Sequence, residues 1–214
     1  MNFFAHAVLA LRRREDPAWV LGSMAPDFAS MAGLRLARGE GEPAGALGEG
    51  IAFHHRSDDA FHGAPRFLEL MKSARVDLRE RGVGLGAALA ISHVGVELLL
   101  DGWLVEQGGV PEPYREAVAS AEARAEALSF QGDEEAARRQ WRSACARLAQ
   151  APLPEGYTDP RFVAERLVRI LARRPRLAVE PGREPLVTAW AEAAKAIVAA
   201  EAVDLLDEVE QRLA

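Results

Sequence analysis

An all-α bundle in one domain is the fold that this sequence predicts, and three observations predict it. Alanine, leucine, arginine and glutamate dominate the chain, while β-branched residues are sparse, which favours helix. Apolar residues recur at helical spacing along most of the sequence. No segment alternates in a way that would mark a strand. At 214 residues, 49% apolar and 27% charged, the composition is that of an ordinary globular protein. Such a chain hides roughly 70% of its unfolded surface. The expected organisation is one domain over residues 1–214, with a core at 1–110 and C-terminal helices at 111–214.

Residues 2–12 read as a short helix with Asn2 as N-cap and Phe3, Phe4, Ala7, Val8 and Leu11 on its apolar side. Asp16-Pro17 opens a second helix by the cap-then-proline rule, running through Trp19 to Gly22. Ser23 to Phe28 then reads as a turn or helix entry, because the residue before Pro26 avoids the α region. Residues 38–49 hold four glycines and a proline and are expected to form a mobile loop. Helix resumes near Gly50. Pro65 restarts another, and Gly82, Gly84 and Gly86 separate it from a strongly apolar helix at 87–105, ended by Gly108-Gly109 and Pro111. Residues 113–150 read as one long helix, or two with a break near Gly132. A linker at 151–160, an arginine-rich helix at 161–174 and an amphipathic helix at 184–213 complete the chain.

Charge and cysteine content narrow the setting. The net charge of −6 argues against general nucleic-acid binding. The single Cys145 allows no internal disulfide and fits a reducing cytoplasm. The apolar start precedes its arginines, the wrong order for export, and no apolar run approaches 18 residues, so no membrane span is expected.

Four of the five histidines fall in two stretches built in steps of four beside carboxylates: His54-x₃-Asp58-x₃-His62 and His93-x₃-Glu97-x₃-Asp101. Each spacing puts three side chains on one helix face. Four residues rise about 6 Å, so adjacent members can share an ion, whereas outer members lie about 12 Å apart and cannot easily do so. The second stretch sits among Ile91, Val94, Val96, Leu98, Leu99 and Leu100, with no arginine or lysine in its helix to pair the acids. Burying carboxylates there is costly without a cation. The mixed imidazole and carboxylate donors suit Mn²⁺, Fe²⁺ or Zn²⁺. By pattern alone, His6 reads as a satisfied histidine on an amphipathic helix, and Asp27 as a cap after Pro26.

Several segments carry a resemblance. They are Met1-Asn2-Phe3-Phe4-Ala5-His6, Leu21-Gly22-Ser23-Met24-Ala25-Pro26-Asp27-Phe28, Gly50-Ile51-Ala52-Phe53-His54 with Asp58, and Glu97-x₃-Asp101 followed by Trp103-Leu104. Together with the arginine-rich stretch from Pro160 to Leu177, they resemble the acyl carrier protein phosphodiesterase (acyl carrier protein hydrolase) family, which is related to the HD phosphohydrolases. The resemblance implies an HD-phosphohydrolase-like bundle. It implies divalent-metal-dependent hydrolysis, with Mn²⁺ foremost and Fe²⁺, Mg²⁺ or Zn²⁺ as alternatives, releasing 4′-phosphopantetheine from holo acyl carrier protein. The family's metal and catalytic roles would map onto His6, Asp27, His54, Asp58 and Asp101, with Glu97 where aspartate is usual. Gly102 stands where the family has a histidine, His62 where it has an acid, and His93 is additional.

The metal-ligand candidates are thus His6, Asp27, His54, Asp58, His62, His93, Glu97 and Asp101. Asp27 and His93 are candidates for proton transfer, and Arg56 for a phosphate clamp. Residues 161–178 hold six arginines and one acid, a net of +5, which could dock an acidic carrier protein or pair with residues 179–214, whose net is −5. The alternatives are a related phosphohydrolase, phospholipase C-like, acting on another phosphoester, or a non-catalytic module that binds a carrier protein.

Overall fold

The computed structural model of the chain describes residues 1–37 and 43–214. The described residues form nine α-helices: α1 (Phe3–Leu11), α2 (Pro17–Met31), α3 (Gly45–His62), α4 (Pro65–Glu80), α5 (Leu85–Gly108), α6 (Glu112–Ser120), α7 (Glu134–Gln150), α8 (Pro160–Leu171) and α9 (Glu184–Leu213). Two 3-10 turns, Ala123–Ala127 and Glu155–Thr158, lie between them. The only β feature among the described residues is an isolated bridge between Leu36 and Phe130. The all-α class is therefore what the sequence composition led one to expect.

Two compact units are interleaved in the sequence. The first holds Phe3–Asp58 and Val110–Leu153, and the second holds Met1–Asn2, Asp59–Gly109 and Pro154–Ala214. In the first unit, Asp16 caps α2 by accepting from the amides of Ala18 and Trp19, with Pro17 at the first helical position. The break expected at Gly22–Phe28 does not occur, for α2 continues through Pro26 to Met31. Pro26 cannot supply the amide hydrogen that the Gly22 carbonyl would normally accept, and the helix continues past it despite that loss. Asp27 therefore lies within the helix rather than capping one.

Gly22 is also where α2 meets α3. A Cβ on Gly22 would lie 2.8 Å from the Gly50 Cα, and a Cβ on Gly50 would lie 2.9 Å from the Gly22 Cα. Only two glycines allow this approach. Trp19 packs on Phe53 with ring centroids 5.1 Å apart, and its indole donates to the Ala10 carbonyl at 3.0 Å, tying α1 to the same junction. α3 begins at Gly45, so the second half of the expected loop is largely helix, while residues 38–42 lie outside the described residues. The long helix expected at 113–150 is two, α6 and α7, and the break is wider than Gly132 alone. Trp141, fully buried on α7, donates to the Ala121 carbonyl across that break.

In the second unit α5 is the central element, packed against α4, α8, α9 and the Glu155–Thr158 turn. Two of its glycines, Gly95 and Gly102, seven residues apart, share a face. A Cβ on Gly95 would be 2.5 Å from the Trp190 ring, and one on Gly102 would be 2.1 Å from the Tyr157 carbonyl oxygen. α8 presents Val163, Ala164, Leu167 and Leu171 inward, a stripe at helical period, and each buried leucine contributes about 1.5–3 kcal/mol. α5 is long and apolar enough to cross a membrane by length and composition, although the sequence showed no unbroken apolar run of that size. Sixty-seven percent of its most apolar window is covered by the protein itself, so packing accounts for most of that apolarity.

Candidate metal centres

Among the described residues, two groups bring three metal-ligating side chains together: His6, His54 and Asp58 in the first unit, and His62, His93 and Glu97 in the second. In each, one donor atom per residue lies within 4.8 Å of the others, so each group could hold a metal ion. The first stretch of the sequence is thereby divided. His54 and Asp58 join His6, while His62 joins the other group, in keeping with the rise that keeps outer members of a helical triplet apart.

The first group is built on the α2–α3 crossing. Because Gly22 and Gly50 touch, His54, one turn beyond Gly50, reaches the backbone of Ser23, one residue beyond Gly22. Its Nδ1 lies 2.9 Å from the Ser23 carbonyl oxygen. A carbonyl can only accept, so Nδ1 carries the proton and Nε2 keeps its lone pair. The His6 tautomer follows similarly. Ser57 Oγ donates to the His54 carbonyl at 3.0 Å, so it accepts from His6 Nδ1 at 2.8 Å. His6 Nε2 then faces Asp58 Oδ1 at 3.6 Å. The two rings lie 4.0 Å apart between centroids. Burial, and then the neighbouring His6, push the His54 pKa down to about 3, so His54 is neutral at physiological pH. Two imidazoles fixed through Nδ1, plus one carboxylate, make a group that could hold a metal ion, with hydrogen bonds already orienting both rings.

The second group is tighter. His62 Nε2 and His93 Nε2 are 3.0 Å apart, and they lie 3.2 Å and 3.0 Å from Glu97 Oε1. The Met1 amino nitrogen lies 3.2 Å from the same oxygen. Phe67 of α4 stands edge-on to both imidazoles, with centroid distances of 5.4 Å and 5.5 Å. Burial works to raise the Glu97 pKa, but the Met1 ammonium and the hydrogen bonds of His62 and His93 prevail and hold the carboxyl well below the usual range. These partners answer the question posed by an acid in an apolar helix with no basic residue of its own.

The remaining candidates lie elsewhere. Asp101, fully buried on α5, accepts from Asn2 Nδ2 at 2.5 Å and interacts with Tyr157, which also bonds Asn2 and Arg166; it belongs to neither ligand group. Asp27 lies one turn beyond Ser23 on α2 and is in neither group. Arg56 is exposed and lies over the Phe53 ring at 5.8 Å. Of the arginine-rich stretch, Arg161 pairs with Glu192 at 2.9 Å, so part of that charge meets the acidic segment that follows it.

Sequence reasoning missed Ser57 and the Ser23 carbonyl, which set both tautomers. Only the helical spacing of Ser57, three residues after His54, hinted at its role. It also missed a cleft of about 620 Å³ in the first unit, lined among others by Ser30, Arg35, His55 and Gln131. The His55 ring meets that of His54 edge-on at 5.3 Å. Comparison with protein families, curated proteins and solved structures returns no match.

Proposed function

We propose that the first unit is a metal-dependent phosphodiester hydrolase centred on His6, His54 and Asp58. The observation that carries this reading is the meeting of His6 with His54 and Asp58, from helices some fifty residues apart in the chain, with both imidazoles tied through Nδ1. The resemblance drawn from the sequence includes these three residues, together with Asp27, Asp101 and Glu97, which lie outside the group. It supplies the reaction class, and from it comes holo acyl carrier protein as the substrate and Mn²⁺ as the ion.

A bound ion supplies Lewis-acid stabilisation of a phosphoryl oxygen and acidifies water. His6 and His54 would hold it through Nε2, and Asp58, whose side chain is 35% exposed, would hold it from the solvent side. Ser57 and the Ser23 carbonyl keep the rings in place, so no reorganisation is needed when charge develops. Asp27, outside the ligand group, is the carboxylate assigned to take a proton from the attacking water. Arg35 and His55 in the adjoining cleft offer donors to a phosphate. Arg56 is assigned no such part, since its guanidinium rests on Phe53.

Gly102 favours a second reading, hydrolysis of a different phosphoester. A histidine there would drive its Cβ into the Tyr157 carbonyl, so the departure from the family is built into the packing of α5. One experiment separates the readings. Mn²⁺-loaded protein is incubated with holo acyl carrier protein, and the carrier is weighed by mass spectrometry. Loss of the phosphopantetheine arm, abolished in His54→Ala, is the expected result. Turnover of model phosphodiesters alone points to the second reading. Failure of the wild-type protein to retain more metal than His54→Ala would sink both.

A further inference from the structure

We infer that His62, His93 and Glu97 form a second, independent metal site, selective for a first-row divalent ion and open to exchangeable ligands from solvent. This inference stands apart from the hydrolase reading and does not need it. The three donor atoms form a nearly equilateral triangle with edges of 3.0, 3.2 and 3.0 Å. Ligands bonded to one ion at about 2.1 Å and at right angles to one another lie about 3.0 Å apart, and tetrahedral ones about 3.4 Å. The triangle has the size of one face of a coordination shell, and the Met1 amino nitrogen stands beside two of its corners, 3.2 Å from Glu97 Oε1 and 3.5 Å from His62 Nε2.

The donors come from two helices that the chain must hold together. His62 ends α3, whereas His93 and Glu97 lie one turn apart on α5. Phe67 walls both imidazoles, and the tilted ring of Phe61, 4.3 Å away between centroids, backs that wall. Two ring nitrogens aimed at each other across 3.0 Å repel unless a proton or a cation lies between them. Two imidazoles among three donors disfavour Mg²⁺ and Ca²⁺, which take oxygen, and favour Zn²⁺, Fe²⁺ or Co²⁺. Glu97 is the buried anchor, with its side chain 10% exposed, whereas His62 and His93 are 31% and 41% exposed. The open coordination positions thus lie on the solvent side, where a water or a small anion can enter. A network in which the Met1 ammonium and the two histidines pair with Glu97 is the competing account, and it binds no metal.

The test is equilibrium dialysis of the whole chain against Co²⁺, followed by metal analysis, with circular dichroism to verify the fold. Wild type is expected to hold about two Co²⁺ per chain, His93→Ala one, His6→Ala one, and the double variant none. A wild type whose metal content is unchanged by His93→Ala overturns the inference. If wild type holds one ion that only His6→Ala removes, this site fails and the hydrolase reading survives. If wild type holds one that only His93→Ala removes, the reverse holds. A measurement on unmutated protein guards against misfolding. Diethyl pyrocarbonate should modify His93 in the apo chain, and Co²⁺ should suppress that adduct at least tenfold. Equal labelling with and without Co²⁺ overturns the inference.

Discussion

Gly22 and Gly50 touch backbone to backbone, and the orientation of His54 depends on that contact. A Cβ on Gly50 would stand 2.3 Å from the Trp19 carbonyl oxygen, and one on Gly22 would stand 2.2 Å from that of Leu47. Both obstacles are main chain, so neither can swing aside. Gly50→Ala should therefore push α2 from α3, costing roughly 1–3 kcal/mol as an overpacked core, and draw Ser23 away from His54. Thermal melting should show a drop of several degrees, with weaker metal binding at His6–His54–Asp58. Gly108→Ala, where nothing lies within 4 Å, should leave both unchanged.

Ser57 links the two imidazoles, accepting from His6 and donating to the His54 carbonyl. Ser57→Ala removes no ligand, yet it strands the buried His6 Nδ1–H. The expected loss of metal affinity is about 10–100-fold, the range typical of outer partners of ligating histidines. The fold should lose about 1–3 kcal/mol for the unsatisfied donor. Isothermal titration with Mn²⁺ checks the first, and urea unfolding without metal the second. An unchanged Mn²⁺ affinity would remove Ser57 from the account of the site.

The residues legible in advance were those whose role depends on spacing within one helix. Helical periodicity placed His54 beside Asp58 and His93 beside Glu97, and composition led to the all-α class. What spacing could not express was the partner from another helix. Helical rise separates His62 from His54, but that His62 meets His93 of α5 is a tertiary contact, lined by Phe67 of α4. Pro26 misled because a rule about isolated dipeptides was overridden by the packing of α2, which buries Trp19 to Ala25 before the proline and Phe28 and Ala29 after it. Asp101 shared the face of a plausible ligand set, yet its environment is set by Asn2 and by Tyr157 from a distant turn.

Asp101 thus behaves in this structure as a buried structural acid. It is fully enclosed, with Asn2 donating to it and Tyr157 interacting with it, while Arg166 bonds that same tyrosine. Asp101→Ala should destabilise by about 3–5 kcal/mol, because a buried network loses its negative member. Metal retention at the His6 group, measured in the fraction that remains folded, should not change. The resemblance to the phosphodiesterase family implies the opposite, a lost ligand. Metal analysis of Asp101→Asn, which keeps the shape, decides between them.

Cys145 supplies the pH prediction. The thiol is 2% exposed on α7, and burial, with a smaller contribution from Glu122, pushes its pKa from 9.0 up to about 12. In the unfolded chain it ionises near its ordinary value. Above that value the unfolded state has lost a proton that the folded state still holds, so ionisation favours unfolding. The contribution is therefore full below pH 9.0 and is lost progressively as the pH rises towards about 12. Urea midpoints at pH 8, 9.5 and 10.5 should fall more steeply for wild type than for Cys145→Ala. The native thiol should also resist a disulfide reagent at pH 8.5 until denaturant is added. Rapid labelling of the folded chain at that pH would contradict the burial on which the prediction rests.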